Sequence, residues 1–94
     1  MEKLTMFYLE HCPYCRNARK ALAELQAEHA RYAAVPVELV EESEEPERAD
    51  RYDYYRVPTI FLGGRKLYEA VITDRYEDIR RNVQAALDAA LETE

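Results

Sequence analysis

Apolar and polar positions change period several times along the chain, and each change marks an element. From Lys3 to Leu9, the residues Leu4, Met6 and Tyr8 alternate with Thr5, Phe7 and Leu9. A short and mostly apolar run of this kind predicts a strand covered on both faces. From Pro13 the period lengthens: Cys15, Ala18, Leu22, Leu25 and His29 step by three and four, while Arg16, Lys20, Glu24 and Glu28 line another face. This predicts an amphipathic helix with Cys12 at or near its N-cap. Pro13 suits the first turn, where its missing N–H would have been unpaired anyway. Ala34 to Val40 reads as a second strand with Val35, Val37 and Leu39 on one face and Pro36 marking an edge position. Strand, helix and strand in this order imply a parallel pair joined by a right-handed crossover.

In the second half, Ser43 is expected to cap a short helix from about Glu44 to Tyr54, with Pro46 in its first turn. Val57 to Leu62 and Arg65 to Val71 are strand-like runs separated by Gly63-Gly64, whose freedom at positive φ fits a two-residue turn between antiparallel strands. Asp74 followed by Glu77 gives an Asp-x-x-Glu start signal, after which Tyr76, Ile79, Val83, Leu87 and Ala90 or Leu91 recur at helical spacing to the C-terminus. The expected order is βαβαββα. Two glycines and four prolines in 94 residues favour long elements with short connections, and residues 1–94 read as one domain.

Composition narrows the class. At 48% hydrophobic and 34% charged, the chain has enough apolar material to fold alone. No apolar run is long enough for a membrane-spanning helix or a secretory signal, so a soluble cytoplasmic monomer with no membrane partner is expected. A net charge of −6 argues against a nucleic-acid partner. The acidity is concentrated between Glu38 and Asp53, where Glu41, Glu42, Glu44, Glu45, Glu47 and Asp50 read as a solvated loop and helix face.

Two cysteines three residues apart cannot staple a small domain, so the pair does chemistry or is incidental. C-x-x-C beside a strand-helix-strand pattern is the sequence sign of a thioredoxin-like redox centre. Spacing of three at a helix start brings the sulfurs together, and the free N–H groups and positive dipole end there favour a thiolate at Cys12. Cys15, one turn further in and on the apolar stripe, should be the more buried. The catalytic roles follow: Cys12 attacks and Cys15 resolves. Arg16 and a protonated His11 could add positive potential. Two other readings are incidental thiols and a zinc site built from Cys12, Cys15 and either His11 or His29. His29 alone reads as a partly buried histidine at a helix end.

Phe7-Tyr8-Leu9, Cys12-Pro13-Tyr14-Cys15 and Val57-Pro58-Thr59 together resemble the glutaredoxin family of the thioredoxin fold over essentially the whole chain. The resemblance implies an α/β, thioredoxin-like fold, with a four-stranded mixed sheet and helices on both faces. It also implies a cis Val57-Pro58 bond facing the sulfurs, and glutathione binding through Cys12, Tyr14, the main chain of Val57 beside Pro58, and Asp74. Two features depart from the family pattern. The expected Gly-Gly falls at Tyr68-Glu69, where a carboxylate would repel a glutathione carboxylate unless it pointed away, and the lysine often found before the motif is replaced by Leu9, Glu10 and His11. The spacing from Gly64 to Asp74 is similar to that of glutaredoxin-like proteins reduced by thioredoxin reductase, and Thr59 is thioredoxin-like.

The expected function is therefore a thiol-disulfide oxidoreductase acting on protein or glutathione mixed disulfides. It would hold no cofactor tightly, and its reductant would be either glutathione, as cosubstrate, or thioredoxin reductase. An iron-sulfur-bridged dimer and a redox-inert binding module rich in tyrosine are the alternatives from other classes.

Overall fold

The computed structural model describes residues 1–93. Its elements are β1 (Leu4–Tyr8), α1 (Pro13–Glu28), α2 (Ala30–Ala33), β2 (Val37–Glu41), α3 (Pro46–Ala49), β3 (Thr59–Leu62), β4 (Arg65–Glu69) and α4 (Tyr76–Glu92). The strands form one mixed sheet in the order β2-β1-β3-β4, with β1 parallel to β2, antiparallel to β3, and β3 antiparallel to β4. This is the expected thioredoxin-like architecture. No helix among the described residues is long and apolar enough to cross a membrane.

Strand β1 is paired on both edges and, from Leu4 to Phe7, buried on both faces, as its unbroken apolar run requires. On one face Leu4 and Met6 join Ile60, Leu62 and Tyr68 under α1 and α4. Small residues at the helix contacts, Ala18 and Ala21 on α1 and Ala86 and Ala90 on α4, are fully or almost fully buried. The Arg80 guanidinium ties the two helices at their rim, 3.2 Å from Glu24 and 2.9 Å from Glu28. On the other face Phe7, Val40 and Phe61 are covered by Ala49, Tyr52, Tyr54 and Val57. The Phe7 ring lies 4.8 Å from that of Tyr52 and 5.0 Å from that of Tyr54.

Several boundaries differ from the sequence pattern, each for a physical reason. Helix α1 stops at Glu28 because His29 adopts extended backbone, with φ −134° and ψ 115°. His29 is exposed, not partly buried, and α2 delivers Tyr32 to the core in its place. The Tyr32 hydroxyl donates to Asp88 at 2.7 Å and accepts from Arg31 and Gln84, which satisfies it fully.

Strand β2 begins after Pro36, at the sheet edge, and its apolar residues divide between faces: Val40 is buried and Leu39 exposed. Helix α3 is one turn long and is not capped by Ser43, whose N–H and hydroxyl both bond to Glu41. The chain from Asp50 to Pro58 runs on without regular structure, which lets Tyr54 stack on Phe7 and Tyr52 pack tilted against it. Arg75 precedes the first turn of α4, with its N–H bonded to Asp78 at 2.9 Å, so Asp74 is not the cap. In the β3–β4 turn, only Gly63 has positive φ, at 58°.

Phe7 is fully buried at the junction of the aromatic layer and the central strand. Phe7→Ala is expected to lower the unfolding free energy by about 3–5 kcal/mol, measured by urea denaturation.

Candidate functional site

The site forms where β1 hands over to α1. Cys12 occupies the N-cap with φ −82° and ψ 124°, and its thiol makes no capping bond. The Cys12 N–H bonds to the Leu9 carbonyl at 3.2 Å, and its carbonyl accepts the first helical bond, from Arg16, at 2.9 Å. Its half-buried thiol lies 4.0 Å from the Val57 carbonyl, toward which it can donate. The Val57-Pro58 bond is cis, and the buried Pro58 is anchored through its carbonyl to the Ala70 N–H at 3.0 Å.

Both thiols are free, but their surroundings differ. Cys15 is fully buried on the inner face of α1, and its sulfur accepts the Leu9 N–H at 3.4 Å. Burial pushes the Cys15 thiol up to about 12. A hydrogen bond to Cys12 and the charge of Cys12 push the same way, while the Leu9 N–H and the nearby positive charge of Arg19 pull it down. Arg19 sits one turn after Cys15, with its guanidinium 4.8 Å from the centre of the Tyr8 ring, and donates to the Glu10 carbonyl at 3.2 Å.

The structure brings Cys12, Cys15, Val57 and Pro58 together and places Tyr14 and Asp74 at one side. Tyr14 donates its hydroxyl to the Ile72 carbonyl at 2.7 Å, tying the start of α1 to the turn before α4. Asp74 points into that turn: its carboxylate accepts from the Tyr68 hydroxyl at 2.6 Å and the Val71 N–H at 3.0 Å. Burial first, and then this bond to Asp74, raises the Tyr68 phenol far above its ordinary value.

Glu69, at the position expected for the second glycine, is turned onto the stretch before Pro58. It accepts the N–H groups of Tyr55 and Arg56 and pairs with Lys66. Beside Cys12 lies a cavity of about 400 Å³ lined by Leu9, Glu10, His11, Cys12, Glu41 and Ser43. Hydrogen bonds from Ser43 and the Glu10 N–H hold the Glu41 carboxyl below its ordinary value.

The contacts of Leu9 and Ile72 were not foreseen from the sequence, because both act through main-chain atoms that carry no residue signature. Arg19 did leave a signal, standing four residues after Cys15 on a helix. Among the described residues, no three His, Cys, Asp or Glu side chains converge as a metal site.

The family model described as glutaredoxin matches residues 4–67, more than half of the chain and inclusive of both cysteines and Pro58. Comparison with curated proteins gives no significant match. Among solved structures, a point mutant of thioredoxin from Halobacterium salinarum NRC-1 superposes with a TM-score of 0.58 at 20% identity, covering 90% of this chain and 74% of that one. At that identity the likeness speaks for the fold.

The buried Cys15 gives a direct expectation. Alkylation of the native reduced protein at neutral pH should label Cys12 and leave Cys15 unmodified in peptide mass spectra. Because the folded pKa of Cys15 lies above its ordinary value of 9.0, the native state keeps a proton that the unfolded chain releases. The resulting stability is intact below pH 9.0 and is lost as pH rises through about 12. Denaturation midpoints above pH 9.0 should therefore fall more steeply with pH for the parent than for Cys15→Ser.

Proposed function

The chain belongs to the glutaredoxin family, and on that premise we propose that it reduces protein disulfides and glutathione mixed disulfides through Cys12 and Cys15. The observation that carries this reading is the unequal pair itself: a half-buried Cys12 at the N-cap of α1 and a fully buried Cys15 hydrogen-bonded by the Leu9 N–H.

Cys12 thiolate attacks one sulfur of the substrate disulfide, whose S–S bond breaks; the departing sulfur leaves as a thiolate and takes a proton from solvent. Cys12 is then held in a mixed disulfide. Burial keeps Cys15 a thiol up to this point, and the Cys12 charge adds to that effect. Once Cys12 is bonded to substrate its negative charge is gone, and the Leu9 N–H and Arg19 remain to stabilise a Cys15 thiolate. Cys15 gives up its proton and attacks Cys12 Sγ; the mixed disulfide breaks, and the second substrate sulfur leaves as a thiolate that takes up that proton. Two electrons have passed to the substrate, and Cys12 and Cys15 are left joined as a disulfide.

The Val57 main chain beside Pro58 receives the substrate backbone, while Tyr14 flanks it. Asp74 contributes by shaping the turn from Val71, since its carboxylate is already engaged there. Two glutathione molecules, as cosubstrate, return the disulfide to the dithiol. The protein works in this scheme as a monomeric single domain in the cytoplasm, where thiols are kept reduced.

A second reading, with thioredoxin reductase as the reductant, is favoured by one feature. Glu10 and Glu41 share the cavity beside Cys12 and oppose an anionic tripeptide.

Disulfide reduction assayed with glutathione and its reductase, and again with thioredoxin reductase, separates the two readings. Cys12→Ser is expected to abolish turnover in both. Cys15→Ser is expected to keep only the monothiol reaction on glutathionylated substrate. A parent protein inactive with both reductants would overturn the proposal.

A further inference from the structure

The stretch from Asp50 to Val57, which brings the Val57 carbonyl to 4.0 Å from Cys12 Sγ, belongs to no helix or strand. Backbone without a ladder is either held by side chains or ordered at a cost when substrate arrives. Here β4 holds it. One oxygen of Glu69 accepts both the Tyr55 N–H at 2.6 Å and the Arg56 N–H at 2.8 Å. The other oxygen meets Lys66 Nζ at 2.7 Å, and Lys66 also donates to the Asp53 carbonyl at 3.3 Å. From β3, the fully buried Thr59 donates its hydroxyl to the Arg56 carbonyl. Arg56, the residue before Val57, is thus fixed at both its N–H and its carbonyl.

The Glu69 side chain is only 21% exposed, and the Lys66 ammonium holds its carboxyl down to about 2. The carboxylate is therefore ionised at any working pH. With its charge paired and both oxygens engaged, Glu69 acts on the site through the main chain.

Building on the oxidoreductase reading above, we propose that Glu69 is a positioning residue for substrate backbone. By fixing Arg56, it presets the Val57 main chain against which a polypeptide substrate docks, so the enzyme favours disulfides carried on a peptide over disulfides without one. Preorganisation of this kind lowers the ordering cost of binding and leaves the sulfur chemistry untouched.

The test is single-turnover reduction by pre-reduced protein of two mixed disulfides of thionitrobenzoate, one with an acetylated and amidated Gly-Cys-Gly peptide and one with 2-mercaptoethanol. They share a leaving group and differ in having a backbone. Glu69→Ala is expected to raise the half-saturating concentration of the peptide substrate by about five- to tenfold, with the limiting rate within about twofold. Glu69→Gln, which keeps an oxygen for the two N–H groups, is expected to restore the parent value within about twofold. The mercaptoethanol substrate should react alike with all three proteins.

Amide hydrogen exchange followed by NMR should quicken at Tyr55 and Arg56 in Glu69→Ala alone. Unchanged saturation in Glu69→Ala, or an equal loss on both substrates, would overturn the proposal. A parent protein that releases thionitrobenzoate from neither substrate would overturn the oxidoreductase reading instead. Amide exchange would then still decide the role of Glu69, since unaltered exchange in Glu69→Ala would overturn that too.

Discussion

Strand β1 must be dry on both sides, and most of the architecture follows from that requirement. A strand with Leu4 and Met6 on one face and Phe7 on the other needs helices over the first and another layer over the second. α1 and α4 cover the first face, while α3 and the irregular chain through Tyr52 and Tyr54 cover the second. The same strand sets the chemistry. It ends at Tyr8, and the turn from Leu9 to Cys12 is so short that the Leu9 N–H reaches the sulfur of Cys15 while Cys12 begins the helix. The core and the cysteine pair are two ends of one constraint.

The parts of the fold legible in the sequence were those whose residue pattern suits a single kind of element. The stripes from Cys15 to Leu25 and from Ile79 to Ala90 carry a helical period, Leu4 to Phe7 is a short unbroken apolar run that suits a covered strand, and the paired glycines mark the turn between β3 and β4. The segment from Glu44 to Tyr54 carried no such pattern. Its charges suit an exposed helix, but Tyr52 and Tyr54 are two apart and bury against one ring, a spacing that suits extended chain. Asp74 misled for a related reason. It has the composition of a cap, yet the buried Tyr68 hydroxyl needs a partner and claims it.

The site was legible to a similar degree. Cys12-Pro13-Tyr14-Cys15 and Pro58 announce themselves by residue type, whereas the groups that hold them in place are largely main-chain atoms. Glu69 illustrates the difference. Read as a free charge it would discourage an anionic cosubstrate; in place, it is spent on Lys66 and two N–H groups and acts as part of the scaffold. Side-chain chemistry can be inferred from a letter, but the partner that consumes it depends on register, here the pairing of Thr59 with Glu69 across β3 and β4.

The complete burial of Cys15 also bears on damage. A small oxidant or electrophile arriving from solvent meets Cys12 first. If Cys12 is oxidised to a sulfenic acid, the neighbouring nucleophile is Cys15, and condensation of the two joins them as a disulfide with loss of water. The buried thiol is thus a reserve that an oxidant in solvent does not meet directly, and under the proposed function the reductant that returns the pair to its dithiol form would also restore an oxidised site.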